Sequence, residues 1–173
     1  PKSKKNLFRP YREERKRLSK LDLPKNFRQI FIEECTKRKC KPLITPFSHH
    51  SVNRIKNLNF FALKIASYDS TSYQLLNRLK KLELPFIVST GATTNQQIKN
   101  TANFLKKNIF AFLHCVTIYP TPLNNCSINK IKFLKKFTKY VGWSDHTEFE
   151  KNSHIASLAS VLNGANIIER HFT

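Results

Sequence analysis

Two histidines near the end of the chain each close an apolar stretch, and residues of this type in this position suggest metal or acid–base chemistry. Residues 140–146 read YVGWSDH and residues 166–171 read NIIERH, so His146 and His171 end two such runs 25 residues apart. If these runs are neighbouring parallel strands, their ends lie roughly 4.8 Å apart. Two imidazoles at that distance can share one metal ion, which would polarise a substrate oxygen. The alternative, in which each histidine only hydrogen-bonds a nearby loop, is equally consistent with the pattern.

A lysine interrupts another apolar stretch, ALKIAS, at residues 62–67. A charged amine inside a buried strand is costly without a partner, so Lys64 requires a carboxylate or a phosphate from the protein or from a substrate. Ser67, three residues later, can donate a hydrogen bond to the same anion. A purely structural alternative is that Lys64 pairs with an internal acid such as Glu169.

Other polar side chains follow the remaining apolar stretches, and each has two interpretations. Asp69 acts as a base or a hydrogen-bond partner for hydroxyl groups, or it caps the next helix. Thr45, Ser89 and Thr90 offer hydroxyl groups to a ligand, although helix capping is the commoner role for such residues. Tyr119 either packs against a substrate or anchors its loop.

The remaining histidines and the cysteines favour structural roles. His49 and His50 follow an apolar run and are interpreted as solvated loop residues. His114 lies within an apolar run and is interpreted as a core histidine with satisfied hydrogen bonds. The four cysteines form no CxxC pair, which indicates free thiols in a reducing compartment.

The apolar stretches recur at intervals that fit alternating strands and helices. Polar residues mark the six stretches at intervals of 22, 23, 24, 32 and 25 residues. These markers are Thr45, Ser67, Thr90, His114, His146 and His171. Between them, apolar residues recur at helical spacing. The predicted helical stripes are Phe27, Ile30, Phe31 and Cys35; Leu75, Leu76 and Leu79; Ile98, Ala102 and Leu105; Ile131, Leu134 and Phe137; and Ile155, Leu158 and Leu162. Short apolar strands that alternate with helices predict an α/β fold with a parallel sheet.

Two α/β architectures compete, an open doubly wound sheet and a closed (β/α)₈ barrel. The chain has three glycines and no GxGxxG motif, which disfavours a doubly wound nucleotide binder. A barrel predicts polar residues at the carboxyl ends of many strands, as seen here. Six strands fall short of eight, so we expect an incomplete barrel over residues 21–173, preceded by a basic segment, residues 1–20, that is extended or helical.

Composition further limits the class of protein to which the chain can belong. The 173 residues are 40% hydrophobic and 24% charged, enough for one domain with a core, and no apolar run reaches the length of a membrane span. The N-terminal residues contain no apolar signal core, so we expect a cytoplasmic protein. The net charge of +20 would suit nucleic acid, but no nucleic-acid module is present and lysine is spread over most predicted helices, which favours a lysine-biased composition. The chain begins with proline and contains no methionine, so we expect it to be part of a longer product.

Six motifs, in order, give the chain a resemblance to the sialic acid synthase family, which comprises N-acetylneuraminate synthase and its legionaminic and pseudaminic relatives. The motifs are ITPF at 44–47, LKIASYD at 63–69, LPFIVSTGA at 84–92, LHCVTIYPTP at 113–122, GWSDHT at 142–147 and IIERHFT at 167–173. The resemblance implies a (β/α)₈ barrel of which this chain holds strands 3 to 8, and a C-terminal SAF domain that lies outside it. It also implies a homodimer in the complete enzyme.

The resemblance implies an enzyme that condenses phosphoenolpyruvate with an open-chain N-acetylated amino sugar and releases phosphate. A divalent cation, Mn or Mg, would hold the sugar aldehyde. By motif, the metal ligands are His146 and His171; the phosphoenolpyruvate-binding residues are Thr45, Lys64, Ser67 and Ser144; Ser89 and Thr90 add hydroxyl groups for the substrates; and Asp69 and Tyr119 lie near the sugar. Thr117 stands where some members of the family have Asn.

Two functional classes stay open from the sequence. The first is the central part of such a synthase, and the second is a basic binding or vestigial protein that keeps the barrel motifs without turnover. His114 stands where pseudaminic-type members often have Lys, which favours a sialic or legionaminic precursor as the sugar. Because an open barrel exposes two sheet edges, we expect the isolated chain to be poorly soluble or loosely folded and to release no phosphate.

Overall fold

The computed structural model describes residues 11–149 and 154–171. Six strands are found within them: β1 (Leu43–Ile44), β2 (Ala62–Ile65), β3 (Phe86–Ser89), β4 (Ile109–Cys115), β5 (Tyr140–Asp145) and β6 (Ile167–Arg170). The helices are α1 (Tyr11–Ser19), α2 (Phe27–Lys37), α3 (His49–Ile55), α4 (Tyr73–Lys80), α5 (Asn95–Leu105), α6 (Lys130–Leu134) and α7 (Ile155–Leu162). Short 3₁₀ turns occur at Ser67–Asp69, Lys106–Asn108 and Leu123–Asn125.

The strands form one sheet in the order β1-β2-β3-β4-β5-β6, and every neighbouring pair is parallel. The prediction of an α/β fold with six parallel strands in consecutive order is therefore confirmed. The sheet curls into a half-barrel whose two edges are β1 and β6. Parallel strands all end on the same side, so the polar residues that follow them meet at one end of the half-barrel.

The strand pleat divides the apolar residues between two layers, because successive side chains point to opposite faces. Leu63, Phe112 and Trp143 belong to the larger layer, between the sheet and its helices, and each is fully buried. Ile87 and Leu113 belong to a smaller layer on the concave face. Both faces of the strands from β2 to β5 are thus covered, which explains why their sequences read as continuous apolar runs.

Local sequence explains where the helices begin and pack. Thr94 caps α5, and its side chain and that of Gln97 form a reciprocal capping box. On α4, the predicted stripe Leu75, Leu76 and Leu79 is fully buried against the sheet, as expected for an amphipathic helix.

Three predictions about the helices are wrong. In α2 the predicted stripe of Phe27, Ile30 and Phe31 is exposed, and Ile32 is buried instead. His49 and His50, predicted to lie in a loop, are exposed but begin α3, because Ser48 accepts a hydrogen bond from the backbone N–H of Ser51 as an N-cap. In α7 the predicted stripe is on the wrong face: Leu158 is 57% exposed, whereas the small residue Ser160 is buried.

A close approach on the concave face requires the glycine of β5. A Cβ atom at Gly142 would lie 2.3 Å from the carbonyl oxygen of Ile167 and 2.6 Å from Cδ2 of Leu113. Since neither backbone nor packed core can retreat that far, any larger residue at position 142 would force β5 away from β6.

His114 lies on the helix-facing side of β4, and the prediction of a core histidine is confirmed. Its ring is buried and its Nε2 lies 2.8 Å from the carbonyl oxygen of Cys126, to which it donates. Nδ1 has no hydrogen-bond partner among the described residues. Burial lowers the pKa of His114, because a charged ring loses its hydration in the core and this loss outweighs the hydrogen bonds to the backbone.

The cysteines are free thiols, as predicted. No helix in the described part of the chain combines the length and the apolar character needed to cross a membrane.

Candidate functional site

A polar layer closes the concave face of the half-barrel at the carboxyl ends of the strands. The pleat places one inward residue per strand in this layer: Lys64, Ser89, Cys115, Ser144 and Glu169. The register pairs Cys115 with Ser144 and Ser144 with Glu169 across three neighbouring strands. Apolar residues such as Ile87 lie one layer below. The chemistry of the chain is therefore concentrated at one end of the sheet.

Lys64 lies at the centre of this layer, and its side chain is only 13% exposed. Its ammonium group donates to the hydroxyl of Ser89 at 2.7 Å. It also lies 3.2 Å from Oε2 of Glu169. This contact is close enough for an ion pair but not aligned as a hydrogen bond, since Oε2 is buried and has no hydrogen-bond donor among the described residues. The structural alternative for Lys64, pairing with the internal acid Glu169, is thus present. It leaves one carboxylate oxygen of Glu169 beside the ammonium group without a hydrogen bond.

Ser67 enters the site on the 3₁₀ turn that follows β2, and a glycine fixes its hydroxyl. The backbone N–H of Gly91 donates to Oγ of Ser67 at 2.9 Å. A Cβ atom on Gly91 would lie 2.9 Å from that Oγ and 2.8 Å from Cγ2 of Thr117. The same hydroxyl also hydrogen-bonds the thiol of Cys115 and opposes the rise in the pKa of that thiol that burial causes.

The ring of His146 is oriented by a backbone carbonyl. Its Nδ1 lies 3.1 Å from the carbonyl oxygen of Val116, which assigns the proton to Nδ1 and the lone pair to Nε2. On that side, the hydroxyl groups of Tyr119 and Ser144 lie 3.2 and 3.4 Å from Nε2. Histidines that bind metals are held in this way, with the second ring nitrogen donating to a carbonyl or carboxylate.

The rings of His146 and His171 lie side by side, with centroids 5.2 Å apart and planes at 62°. This separation and the Nδ1-protonated form of His146 fit a shared cation held by two imidazoles. Residues 11–149 and 154–171 contain no group of three or more His, Cys, Asp or Glu arranged to hold a metal ion.

Two cavities meet at these histidines, and we call them the small and the large lobe. The small lobe has a volume of about 340 Å³ and is lined by Thr45, Phe47, Lys64, Ala66, Ser67, Tyr68, Ser89, Cys115, Thr117, Tyr119, Ser144, His146, Glu169 and His171. The large lobe has a volume of about 630 Å³ and is lined by Tyr119, Pro120, Asp145, His146, Thr147, Phe149, Arg170 and His171. Tyr119, His146 and His171 form the wall that the lobes share. A ligand in each lobe would therefore reach the same two imidazoles.

Most residues selected from the sequence meet in these lobes. The small lobe or the shared wall contains Thr45, Lys64, Ser67, Ser89, Thr117, Tyr119, Ser144, His146 and His171. Asp69 and Thr90 line neither lobe. Thr90 is buried and donates its hydroxyl to the carbonyl oxygen of Leu113, which is a structural role. Asp69 is partly buried on the turn that carries Ser67, and burial raises the pKa of its carboxyl.

Sequence reasoning missed several residues that line the lobes or shape them. Cys115 was interpreted only as a free thiol, yet its Sγ lies 3.7 Å from Nδ1 of His146, and burial raises the pKa of the thiol. Gly91 was not singled out, because a glycine required by a close approach carries no sequence signal of its own. Phe149 and Arg170 were also missed, although each stands within three residues of a selected histidine.

Asp145, next to His146, has a structural role that the sequence did not assign. Its side chain is fully buried, and its carboxylate accepts hydrogen bonds from Thr147 at 2.9 and 2.6 Å and from Ser157 at 2.5 Å. Arg170 lies 3.5 Å away. Burial by itself would raise the pKa of Asp145, but these donors and the guanidinium outweigh it and hold the pKa below its usual value. Asp145 thus ties the loop after β5 to α7 and to β6.

Comparison with known proteins identifies the family of this chain. The sequence model of the NeuB family matches residues 2–173. The N,N'-diacetyllegionaminic acid synthase of Campylobacter jejuni is 36% identical over 162 residues, which are 90% of this chain and 47% of that protein. The N-acetylneuraminate-9-phosphate synthase of Drosophila melanogaster is 35% identical over 144 residues, which are 78% of this chain and 38% of that protein.

A solved structure has the same fold. The N-acetylneuraminic acid (sialic acid) synthetase of Leptospira borgpetersenii, in complex with citrate, superposes with a TM-score of 0.84 at 28% identity, over 96% of this chain and 58% of that chain. The present chain spans less than half the length of the two sequence relatives. The resemblance drawn from the six motifs is confirmed by these independent comparisons: the chain belongs to the NeuB family.

Proposed function

We propose that this chain carries the active site of a nonulosonic acid synthase, which condenses phosphoenolpyruvate with an N-acetylated amino sugar and releases phosphate. The observation that carries the proposal is the arrangement of two lobes of different character on either side of one imidazole pair. A reaction that joins two substrates requires two binding spaces that meet at the reacting atoms.

The small lobe suits phosphoenolpyruvate. Lys64 supplies a positive charge for its phosphate or carboxylate, and the hydroxyl groups of Ser67, Ser144 and Thr45 line the same space. A volume of about 340 Å³ is large enough for a three-carbon phosphate ester. In the absence of substrate, Glu169 partly neutralises the charge of Lys64. The incoming anion therefore competes with that carboxylate for the ammonium group.

The large lobe suits the amino sugar, because it is nearly twice as large and has aromatic and guanidinium walls. Tyr119 stands at its junction with the small lobe, with its hydroxyl 3.2 Å from Nε2 of His146. From this place Tyr119 can orient a sugar hydroxyl or carbonyl oxygen towards the histidines.

His146 and His171 would hold the divalent cation, and when bound it would act as a Lewis acid towards the aldehyde oxygen of the open-chain sugar. Nitrogen donors favour Mn²⁺ over Mg²⁺, which prefers oxygen ligands. The carbonyl of Val116 keeps the lone pair of His146 directed at this position.

The chain's own groups would prepare the reaction by orientation and charge. Lys64 and the serine hydroxyls neutralise the anion and hold it so that its enol carbon faces the aldehyde carbon at the junction of the lobes. There the methylene carbon of phosphoenolpyruvate bonds to the aldehyde carbon, whose oxygen takes up a proton. One water adds to the neighbouring carbon, which carries the phosphate, and that carbon becomes a ketone as phosphate leaves. Asp69 is retained as a predicted acid–base residue: burial raises the pKa of its carboxyl, although it lies outside both lobes.

A binding or vestigial protein without turnover is the second candidate, because the same lined cavity can hold an anion and a cation without joining two substrates. Both candidates predict a lined cavity, so only chemistry separates them.

The test measures binding and turnover on the purified chain. Mn²⁺ binding is followed by electron paramagnetic resonance, phosphoenolpyruvate binding by ³¹P NMR, and phosphate release after addition of N-acetylmannosamine. The synthase predicts that His171→Ala removes Mn²⁺ binding, that Lys64→Ala weakens phosphoenolpyruvate binding, and that each variant still folds. Binding of both ligands without phosphate release would favour the second candidate, and failure to bind either ligand would contradict the proposed site.

A further inference from the structure

Positive charge is concentrated at one end of the half-barrel, opposite the two lobes. Each helix from α2 to α6 leads into the next strand through a short segment, and because the strands are parallel these segments lie together at the amino ends of the strands. Their lysine and arginine residues, all exposed, are Arg38, Lys39, Lys41, Lys56, Lys81, Lys106, Lys107, Lys135, Lys136 and Lys139, and we call them the basic end. The same segments contain one acid, Glu83.

The segments that follow the strands, beside the lobes, have the reverse pattern. Within the described residues, the segments 45–48, 66–72, 90–94, 116–129 and 146–149 contain the acids Asp69 and Glu148 and no lysine or arginine. A lysine-biased composition would place lysine at both ends of the half-barrel. Composition alone therefore does not explain why the cations lie at the end that faces away from the lobes.

The helix dipole explains only part of this arrangement. A cation is favourable within the last turn of a helix, and Lys81, Lys106 and Lys135 directly follow α4, α5 and α6. Lys41 and Lys139, in contrast, follow their helices by four and five residues and stand next to β1 and β5. The dipole no longer acts at that distance, so the charge at these positions requires another explanation.

Little of the charge at the basic end is neutralised by the described residues. Arg38 lies 3.7 Å from a carboxylate oxygen of Glu34. The nine lysines form no salt bridge with an acid in the part of the chain that the structure describes. The ammonium of Lys41 instead lies 4.4 Å from the centroid of the Phe61 ring. The basic end thus presents mostly uncompensated cations to its surroundings.

The chemistry of the basic end suits a broad anionic surface better than a nucleic acid. Nine of its ten cations are lysines, which act as flexible point charges, whereas paired recognition of phosphates and bases favours arginine. The segments precede five neighbouring strands, so at about 4.8 Å per strand the cations spread over roughly 20 Å. Phe61 is the exposed aromatic residue of these segments, and Lys41 already covers one face of its ring, which closes that face to a stacked base.

We propose that the basic end is a docking surface for membranes that contain acidic lipids, on which the chain lies with its lobes turned towards the solvent. Acidic lipids give a membrane a negative surface potential, and each lysine close to it increases binding about fivefold. Because the basic end and the lobes lie at opposite ends of the strands, docking leaves the lobes open to small molecules. The inference does not depend on the reaction that takes place in them.

Vesicle binding tests the proposal. Vesicles of phosphatidylcholine with one-third phosphatidylglycerol are compared with vesicles of phosphatidylcholine alone, and the bound fraction is measured by sedimentation against a vesicle-free sample. We expect at least about tenfold tighter binding to the acidic vesicles in 0.1 M sodium chloride. In 1 M sodium chloride this advantage should disappear, because salt shortens the range of the attraction from about 10 Å to about 3 Å.

A pair of fourfold variants separates the basic end from the net charge. Lys39→Gln, Lys81→Gln, Lys107→Gln and Lys136→Gln together remove one exposed lysine from each of four segments, and should weaken binding to acidic vesicles at least about tenfold. The matched control combines Lys20→Gln, Lys25→Gln, Lys99→Gln and Lys132→Gln, which remove the same charge from exposed positions elsewhere, and should weaken binding less than about threefold. Since all eight side chains are exposed, both variants should keep the wild-type melting temperature.

A fluorescent label reports which end of the half-barrel contacts lipid. Cys40 is exposed and lies between Lys39 and Lys41, whereas Asn124 is exposed in the segment that follows β4. A nitrobenzoxadiazole group on Cys40, with Cys35→Ser, should become brighter on acidic vesicles. The same group on Asn124→Cys, with Cys35→Ser and Cys40→Ser, should not.

Equal binding to the two kinds of vesicle, equal losses in the two fourfold variants, or a label that brightens at Asn124→Cys rather than at Cys40 would each overturn the proposal. Single-stranded RNA is titrated with the same proteins by fluorescence anisotropy. If the basic-end variant loses RNA binding but not vesicle binding, the surface binds nucleic acid and the proposal is wrong. Mn²⁺ and phosphoenolpyruvate binding are measured separately, so a failure of the proposed function would leave this inference standing.

Discussion

Lys64 has two partners that compete for its charge, and this competition is the main electrostatic feature of the site. Ser89 satisfies one of its N–H groups, and Glu169 neutralises it without a well-aligned hydrogen bond. An ammonium that is only 13% exposed would be costly if unpaired, so the carboxylate keeps the empty site stable. The same carboxylate repels an anion that approaches Lys64.

Removing that repulsion gives the first prediction. Glu169→Gln should increase the affinity of the chain for phosphoenolpyruvate about three- to tenfold, or about 0.6–1.4 kcal/mol, because Lys64 keeps its charge and loses its internal competitor. Isothermal titration calorimetry at constant ionic strength measures the change. Lys64→Gln provides the opposite control and should weaken binding. A loss of affinity in Glu169→Gln would mean that Glu169 mainly orients Lys64.

The second prediction concerns Gly91. Gly91→Ala introduces a Cβ atom 2.8 Å from Thr117 and 2.9 Å from Oγ of Ser67. Since φ at Gly91 is not in the left-handed region, backbone strain plays no part and the effect is steric. We expect about 1–3 kcal/mol of lost stability and a weaker affinity for phosphoenolpyruvate.

Thermal denaturation and calorimetry measure these two quantities for Gly91→Ala. Ser67→Ala separates them, because it should lose affinity without steric strain. An unchanged affinity in Gly91→Ala would show that Ser67 does not depend on this contact.

The residues that sequence could identify are those whose type demands a partner. A lysine in an apolar strand and histidines at strand ends can be recognised from the sequence alone. Lys64, His146 and His171 do line one site. Gly91 and Phe149 could not be identified in this way. The role of Gly91 depends on a contact with a distant segment of the chain. Phe149 lines the large lobe with an exposed ring. No local sequence pattern encodes either property.

Among the elements, α7 shows how a helix can be predicted correctly and oriented wrongly. Its larger residues, such as Leu158, are exposed, while Ala156 and Ser160 are buried. Ser157 donates to Asp145 at the end of β5, and this hydrogen bond fixes the face that α7 turns to the sheet. Periodicity located the helix, but a short polar contact determined its orientation.

The third prediction follows from this packing. Ala156→Leu should destabilise the chain by about 1–3 kcal/mol, because a larger side chain does not fit between α7 and the sheet. Leu158→Ser, on the opposite face, should change stability by less than about 0.5 kcal/mol. Urea denaturation of both variants measures the difference. Equal effects would mean that α7 packs through its larger apolar residues after all.

The fourth prediction concerns the connection between β4 and the segment that follows it. His114 donates through Nε2 to Cys126, and burial lowers the pKa of its ring. The unfolded chain therefore binds a proton at a higher pH, near 6.5, than the folded chain does. The contribution of His114 to the free energy of unfolding should be complete above pH 6.5. As the pH drops below 6.5, the free energy of unfolding should fall by at most about 1.4 kcal/mol per pH unit, until the pKa of the folded state is passed.

His114→Gln is the variant that isolates this effect, because the amide can still donate to Cys126 but does not titrate. Urea denaturation between pH 5 and pH 8 should give a flatter profile in the variant, since the other histidines are common to both proteins. Parallel profiles would show that His114 does not contribute to the pH dependence.

Elements were predictable from periodicity because the strands from β2 to β5 are covered on both faces and each intervening segment needs an apolar side. The predicted boundaries of β3, taken from the stretch FIVST, agree closely with the observed strand Phe86–Ser89. α3 was missed because its apolar residues, Val52 and Ile55, are too few to show a helical period. The order of the strands in the sheet depends on pairing between distant segments, which the sequence does not show directly. Consecutive βα units nevertheless make the observed order the simplest one.

The complete half-barrel combines two open edges with a strong net charge. β1 and β6 each pair with one neighbour among the described residues, so each presents an unpaired row of backbone groups. Leu43 on β1 and Ile168 on β6 are both 40% exposed. Edges of this kind favour pairing with other chains. The charge of +20 opposes association through repulsion between copies of the chain.

The fifth prediction is that salt controls the association of this chain. Repulsion between copies is screened over about 10 Å at 0.1 M salt and about 3 Å at 1 M, whereas edge pairing and apolar contact are not weakened by salt. Sedimentation velocity should therefore show larger assemblies at 1 M than at 0.1 M sodium chloride. Leu43→Lys combined with Ile168→Lys should suppress them by placing charge on both edges. Leu21→Lys combined with Leu23→Lys adds the same charge at exposed positions before α2 and should suppress them less. Equal suppression by the two pairs would mean that net charge, rather than the sheet edges, determines association.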